Sequence, residues 1–236
     1  MKAFLLAAGN GTRLKPLTDR VPKCLLPIQG KPLLGLWLEL CRLHGIDEVL
    51  INSHAHARSV RDYLSTNSFG LKTTVFEEPV LLGSAGTLGA NRQWARSEEF
   101  FWVLYADVLT NLNLTGLMHF HQARKMTATI GLYAVDEPSR CGIVTLDAKG
   151  TVTDFVEKPQ NPKGNLAFTG IMIATPALMD LIPEHRPADI GTDVLPRLVG
   201  LMSGLETKDY VLDIGTVRNY ERAQITWPGI AVAARR

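Results

Sequence analysis

The sequence predicts an α/β fold: a Rossmann-like, mostly parallel mixed sheet flanked by helices. Three observations carry this. Short apolar runs alternate with segments of helical periodicity through residue 110, the pattern of β-α-β units. The runs end in glycine-bearing or acidic loops, as at Ala7-Ala8-Gly9 and Asp107. Beyond residue 110 a hairpin pattern and further strands replace the strict alternation, which makes the sheet mixed.

The elements follow in order. Lys2 to Leu6 is a short apolar run that reads as a buried parallel strand. Pro16, Pro22 and Pro27 keep the next stretch extended or turning. Pro32 suits the first turn of a helix running to about His44, with Leu33, Leu36, Trp37, Leu40 and Cys41 on one face and Gly45 as its stop. Glu48 to Asn52 is a strand, Ala57 to Leu64 a helix, and Lys72 to Phe76 a strand. A Gly83–Gly86 loop precedes a helix carrying Leu88 to Trp94, and Phe101 to Tyr105 is a strongly apolar strand. In the second half, Thr115 to Lys125 reads as a helix and Ala128 to Ala134 as a strand. Gly142–Leu146 and Thr151–Glu157 form a hairpin through Asp147-Ala148-Lys149-Gly150. Phe168 to Ala174 is a strand, helices start from Pro176 and Asp193, and Tyr210 to Leu212 runs into Asp213-Ile214-Gly215 before a helix from Thr216 to Gln224.

Bulk composition narrows the function classes. A formal net charge of +2 over 236 residues gives no field drawing the chain to nucleic acid or a membrane, so phosphate binding must come from local Lys, Arg and backbone N–H groups. The 3 cysteines, Cys24, Cys41 and Cys141, are scattered and odd in number, which argues against zinc sites and disulfides and for a reducing cytoplasm. The N-terminal apolar run is too short for a secretion signal, and no run approaches the roughly 20 residues that span a bilayer. The six histidines lack metal spacing and read as structural or surface residues. Glu77 and Glu78 read as a solvated acidic face.

Gly9-Asn10-Gly11-Thr12-Arg13 follows the first strand, and Lys23 lies further on. Glycines let backbone N–H groups approach a triphosphate, Arg offers a planar fork to phosphate oxygens, and Lys a compact charge. Leu14 stands where a dinucleotide fingerprint needs its third glycine, and no Gly-Lys-Ser/Thr follows for a Walker A loop. Asp107 and Asp213 each end an apolar run. At the carboxyl edge of a sheet such residues can hold hard Mg²⁺, which takes oxygen ligands together with substrate phosphates.

The stretch Leu6-Ala7-Ala8-Gly9-Asn10-Gly11-Thr12-Arg13-Leu14-Lys15-Pro16-Leu17-Thr18, with Pro22-Lys23, Pro27 and Gly30-Lys31-Pro32 at fixed spacing, resembles the opening signature of sugar-1-phosphate nucleotidyltransferases. The resemblance implies a glycosyltransferase-A-like core and a single domain over 1–226. Within it, 1–110 would be the nucleotide-binding half and 111–226 the sugar-phosphate half, with 227–236 as a tail ending in Arg235-Arg236. It also implies that Leu6, Ala8, Gly9, Gly11, Thr12, Arg13 and Lys23 bind the nucleotide, with Arg13 and Lys23 holding the triphosphate as catalytic residues. Leu82-Gly83-Ser84-Ala85-Gly86 resembles the family's base-side loop. Asp107 and Asp213 match its metal aspartates. Gly142, Glu157, Lys158, Thr169 and Gly170, together with Asp107, match its sugar-phosphate positions. Two departures stand out: Ala106 precedes Asp107 where many members have Gly, and Cys141 precedes Gly142 where Tyr is common. Asp107 also lacks the Asp-x-Asp of sugar-transferring relatives.

The implied reaction joins a nucleoside triphosphate to a sugar 1-phosphate in one in-line step with Mg²⁺. GTP with mannose- or heptose-1-phosphate is the leading expectation. The alternatives are thymidylyl or uridylyl transfer to glucose-1-phosphate or N-acetylmuramic acid 1-phosphate, cytidylyl transfer to a phosphocholine-like substrate, a glycosyltransferase using a finished nucleotide sugar, and a non-catalytic nucleotide-sugar-binding regulatory subunit. Oligomeric state is unreadable, with a homodimer the default.

Overall fold

A computed structural model describes residues 1–67 and 69–230. The tail expected over 227–236 lies outside the described residues from 231 on, Arg235 and Arg236 included. Along the chain the elements are β1 (Lys2–Leu6), β2 (Pro27–Ile28), β3 (Lys31–Pro32), α1 (Leu33–Leu43), β4 (Glu48–Ser53), α2 (Ala57–Thr66), β5 (Lys72–Glu77), α3 (Ser84–Ala90), α4 (Arg92–Ala95), β6 (Phe101–Tyr105), β7 (Val108–Thr110), α5 (Leu114–Arg124), β8 (Ala128–Ala134), β9 (Gly142–Leu146), β10 (Val152–Glu157), β11 (Leu166–Ala174), β12 (Met202–Glu206), β13 (Val211–Asp213) and α6 (Val217–Thr226). No helix among the described residues is long and apolar enough to cross a membrane.

The chain divides into two compact units. One gathers Met1–Val80, Tyr105–Asn113 and the described residues from Asp209 onward; the other gathers Leu81–Leu104 and Leu114–Lys208. In the first unit β1, β4 and β5 are parallel neighbours, with Leu6 opposite Asn52 and Asn52 opposite Phe76. Ala3, Phe4, Leu5, Val49 and Ile51 are fully buried, as strands covered on both faces require. α1 is buried over more of its circumference than the predicted face, since Leu34 and Leu38 are also inaccessible. Gly35 permits this: a methyl there would lie 2.4 Å from the Tyr63 hydroxyl of α2.

Antiparallel pairing dominates the second unit. β11 pairs with β6, β8 and β9, and β9 pairs with β10 in the expected hairpin, while β12 runs parallel to β8. The Asp147 side chain closes the hairpin turn by accepting the N–H groups of Lys149 and Thr151, each at 2.8 Å. These hydrogen bonds to the charged form hold its carboxyl below the usual range.

Local departures from the sequence expectations have physical causes. The predicted Gly83–Gly86 loop is instead the first turn of α3, with Gly83 as its cap. Tertiary hydrogen bonds from the Ala85 and Gly86 N–H groups to the Ala188 carbonyl, at 3.0 and 3.1 Å, hold this glycine-rich turn helical. The helices expected from Pro176 and Asp193 are short 3₁₀ and π turns over Pro176–Leu181, Ile190–Val194 and Leu195–Leu198, where Pro196 supplies no N–H to extend an α-helix. β12 is not among the expected strands because Ser203 and Gly204 weaken its pattern. Gly204 is required there, since a methyl would lie 2.4 Å from the Leu132 side chain of β8.

His121 of α5 is fully buried, with Nδ1 2.8 Å from the Thr129 hydroxyl, which in turn lies 2.8 Å from the Ser203 hydroxyl. Burial lowers its pKa to about 4 from an ordinary 6.5. The unfolded chain therefore takes up a proton on this ring near pH 6.5 while the folded chain resists until about pH 4. Its stabilisation is complete above pH 6.5 and is lost as pH falls through that window. In denaturant titrations at pH 7.5 and pH 4, the parent should lose on the order of 3 kcal/mol more than His121→Gln.

Candidate active site

The first unit places the cationic residues on short turns. The loop after β1 reaches Gly11 in a left-handed conformation (φ +61°), whose carbonyl accepts a hydrogen bond from the Thr18 hydroxyl at 2.8 Å. A 3₁₀ turn over Thr12–Leu14 follows, with Leu14 fully buried as its anchor and Thr12 and Arg13 exposed. Leu6 ends β1, Ala8 is buried, and Gly9 is open, with no atom within 4 Å of where its side chain would begin. Lys23 opens a second 3₁₀ turn, Lys23–Leu25, and is 8% exposed.

Asp107 and Asp213, remote in sequence, meet on a two-stranded ribbon. β7 and β13 pair antiparallel with Asp213 opposite Val108, and the Ile214 N–H donates to the Asp107 carbonyl at 3.0 Å. The Trp37 indole N–H of α1 donates to the Val108 carbonyl at 2.9 Å, and the Thr110 hydroxyl to the Tyr210 carbonyl at 2.7 Å. Both aspartates thus lie at the same end of the ribbon, within reach of one ammonium. The Lys23 ammonium lies 2.9 Å from Asp107 Oδ2 and 3.9 Å from Asp213 Oδ1. Their side chains are 41% and 50% exposed against 9% for Lys23, so the ammonium is buried and the carboxylates keep faces toward solvent.

Gly215 completes this cluster and is not among the site residues expected from the sequence. A methyl on it would lie 2.7 Å from Asp213 Oδ1, 2.8 Å from Arg13 Nη2 and 3.1 Å from Lys23 Nζ. Arg13, Lys23 and Asp213 therefore converge over a bare backbone surface. The Gly215 N–H donates to Asp213 Oδ1 at 2.6 Å, and Asn219 Nδ2 donates to the Asp213 carbonyl at 2.7 Å. Asp-Ile-Gly after a strand is the available signal, since a glycine two residues beyond a carboxylate lets the backbone turn under it.

The second unit holds the other predicted residues. Gly83 adopts φ +78°, and a methyl there would lie 2.2 Å from the Ala188 carbonyl oxygen. The Ser84 hydroxyl donates to Asp189 Oδ2 at 2.8 Å and accepts the Ile190 N–H at 2.7 Å, so it locks the turn against the Ala188–Gly191 segment. The Ala85 and Gly86 N–H groups are spent on Ala188, and a methyl on Gly86 would lie 2.9 Å from the Arg186 side chain and 3.0 Å from that of Leu82.

Glu157, at the end of β10, lies opposite Gly142 of β9. A methyl on Gly142 or on Gly191 would lie 2.8 Å from Glu157 Oε2, so two glycines flank this carboxylate; Gly191 has no distinctive sequence signal. Lys158 Nζ lies 3.0 Å from Glu157 Oε1 and is largely exposed, on a residue with φ +46°. Thr169 is placed differently. It is 2% exposed, and its hydroxyl donates to the Gly131 carbonyl at 2.9 Å within a register shift of β11 where Gly170 adopts φ +80°. Its polar group is committed to the sheet.

Cys24 and Cys41 have their thiols pushed up to about 12 by burial, which makes them poor nucleophiles at neutral pH. Among the described residues no three His, Cys, Asp or Glu side chains gather as a metal cage.

Residues 2–227 match the family model described as Nucleotidyl transferase. The chain is 34% identical to the UTP–glucose-1-phosphate uridylyltransferase of Synechocystis, over 94% of this chain and 62% of that protein. It is 33% identical to the mannose-1-phosphate guanylyltransferase 1 of Arabidopsis thaliana, over 93% and 63%. The chain thus spans about three fifths of the length of these relatives. A Bacillus anthracis protein assigned as a glucose-1-phosphate thymidylyltransferase, solved with sucrose, superposes with a TM-score of 0.85 at 25% identity, covering 95% of this chain and 94% of that one. The mixed sheet flanked by helices is therefore an architecture that this chain shares with it.

Gly83→Ala tests the turn that opens α3. Its left-handed backbone and the carbonyl contact together should cost about 2–4 kcal/mol in a denaturant titration. Gly9→Ala, where nothing is near, should cost under about 1 kcal/mol.

Proposed function

Because the chain belongs to the nucleotidyl transferase family, we propose that it transfers a nucleotidyl group from a nucleoside triphosphate to a sugar 1-phosphate, giving a nucleoside-diphosphate sugar and pyrophosphate. GTP and mannose- or heptose-1-phosphate are the proposed substrates. The observation that carries the reading is the convergence of Arg13 Nη2, Lys23 Nζ and Asp213 over Gly215, with Asp107 paired to the same Lys23, a set of cations and metal-competent carboxylates suited to a polyphosphate and its ion.

The physical difficulty of this reaction is that one anion must approach another. An oxygen of the sugar phosphate, ionised at neutral pH, attacks the α-phosphorus; the bond to the β-phosphate oxygen breaks, and pyrophosphate departs with that electron pair. No general base is needed. Arg13 steadies the β- and γ-phosphates as charge builds on the leaving group, and Lys23 neutralises the α-phosphate. The open backbone at Gly9 and the left-handed turn at Gly11, packed against Thr18, together with Leu6, Ala8 and Thr12, give the triphosphate its seat. Gly83 to Gly86 give the base a close backbone surface. On the sugar side Glu157 accepts hydroxyl hydrogen bonds between Gly142 and Gly191, and Lys158 pairs with the sugar's phosphate. Gly170 shapes β11 there, while Thr169 acts through the sheet.

Asp107 and Asp213 fit a divalent ion. They are hard oxygen donors with solvent-facing edges, and a protein site of only two carboxylates suits Mg²⁺, which completes its shell with water and substrate phosphates. Bound there, the ion would supply Lewis-acid polarisation of a phosphoryl oxygen.

The Arabidopsis relative's name supports GTP, and those of the Synechocystis and Bacillus proteins support UTP or dTTP with glucose-1-phosphate as the second reading. The proposed setting is the cytoplasm, supplying activated sugars to cell-surface polysaccharides, with a homodimer as the working assembly.

A panel of GTP, ATP, CTP, UTP and dTTP against mannose-, heptose-, glucose- and N-acetylmuramic acid 1-phosphates, read as pyrophosphate release, should give the highest kcat/KM for GTP. A higher value for UTP or dTTP establishes the second reading. With the best pair, Arg13→Ala and Asp213→Ala should each lose roughly a hundred- to a thousandfold in turnover, as for loss of one preorganised charge-stabilising group. Gly215→Ala, which pushes three charged groups apart without removing any, should lose about tenfold or more with an unchanged melting temperature. Parent-like turnover in folded Arg13→Ala or Asp213→Ala contradicts that residue's role.

A further inference from the structure

Glu78 is 2% exposed and Asn52 4%, although the sequence pattern predicts a solvated face for Glu77 and Glu78. That holds for Glu77, which pairs with Arg61 at the surface. Glu78 instead sits just beyond β5, where its N–H donates to the Ser53 carbonyl at 2.8 Å and its carbonyl meets His54 Nδ1 at 2.7 Å. A buried carboxylate is costly unless it is hydrogen-bonded, so this one invites a physical account.

Its partner supplies one. Asn52 Nδ2 donates to Glu78 Oε1 at 2.9 Å, while Asn52 Oδ1 accepts the Ala7 N–H at 2.6 Å. A side-chain amide can present either end to a neighbour, but a carboxylate has no hydrogen to offer. Glu78 therefore forces the NH₂ end of Asn52 toward itself and the oxygen toward Ala7. Ala7 is the first residue after β1 and leads directly into Ala8-Gly9, where a glycine-rich chain has little stiffness of its own. The carboxylate thus fixes the polarity of the amide, and the amide fixes where the loop leaves the sheet.

We propose that Glu78 and Asn52 form a polarised clamp that positions the phosphate loop through the Ala7 amide, making them positioning residues for the nucleotide. The functional half of this rests on the nucleotidyl-transfer reading; the structural half does not.

The experiment compares the parent, Glu78→Gln and the double variant Glu78→Gln/Asn52→Asp. In Glu78→Gln the amide–amide pair has no fixed direction, so Asn52 can turn its NH₂ toward Ala7. In the double variant the polarity is unique again: the introduced glutamine amide can only donate to the introduced carboxylate, whose other oxygen accepts from Ala7. Hydrogen exchange of the Ala7 amide, followed by NMR without ligand, should quicken about fivefold or more in Glu78→Gln, the scale of one net hydrogen bond, and return toward the parent rate in the double variant. In steady state with the best substrate pair, kcat/KM for the nucleotide should fall and recover in the same order, while KM for the sugar phosphate stays within about twofold. Thr129→Val, which breaks a buried hydrogen bond of the other unit, should move neither readout. Unchanged Ala7 exchange in folded Glu78→Gln overturns the clamp, as does quickened exchange without a change in nucleotide kcat/KM or without rescue by the double variant. A parent that releases no pyrophosphate from any nucleotide overturns the nucleotidyl-transfer reading instead, and the exchange data alone then decide the clamp.

Discussion

A buried ammonium needs negative charge close by, and the contact of Lys23 with Asp107 and Asp213 is the constraint around which the first unit is organised. The two carboxylates come from distant stretches of chain, so they can reach one ammonium only if β13 returns to pair with β7, with Asp213 opposite Val108 and the Ile214 N–H on the Asp107 carbonyl. Trp37 anchors that ribbon to α1 through Val108. A hairpin ties the Lys23 turn to the other end of the cluster. Gln29 of the β2–β3 turn bonds Gln224 of α6 through its N–H at 2.8 Å, and Gln224 returns a bond to the Pro27 carbonyl at 2.7 Å. Turn, ribbon and terminal helix thus hold one set of charges in place.

In the second unit the same role falls to close backbone approach. Gly83 must lack a side chain because the Ala188 carbonyl occupies the space, Gly142 because the Phe155 ring and Glu157 do, and Gly191 because Glu157 does. Ser84, Asp189 and Asp193 then stitch the segment with hydrogen bonds of 2.7 to 2.8 Å. The Glu157 side chain keeps part of its surface toward solvent, which is what the sugar-phosphate reading asks of it.

Much of this is legible in the sequence, and the reasons are specific. β1, β4, β5 and β6 are readable because buried strands favour continuous apolar runs. The helices α1, α2 and α6 are readable because their apolar residues recur on one face, and in α1 and α6 the proline, glycine or threonine ends agree; α5 has almost no such periodicity. Arg13, Lys23, Asp107 and Asp213 stand out by residue type at strand ends and in the loop that follows β1. What escapes detection depends on partners distant in the chain. β7 is three residues long and exists as a strand only through β13. Gly215 and Gly191 matter only because side chains from elsewhere lean over them. Glu78 looks like one of two surface acids until β4 brings Asn52 alongside. The turn at Gly83–Gly86 looks like a loop because helix propensity counts glycine as a cost, and only Ala188 reverses that balance.

If the Lys23 charge, held between two aspartates, serves the nucleotide as well as the fold, removing it must slow the reaction in a protein that still folds. Lys23→Met keeps the length and burial of the side chain and deletes only the ammonium. Pyrophosphate release by this variant, measured beside its melting temperature, separates the two roles. A folded protein whose turnover is lower by about a hundredfold or more is the expected result; a folded variant turning over like the parent would mean that the ammonium does nothing for the nucleotide.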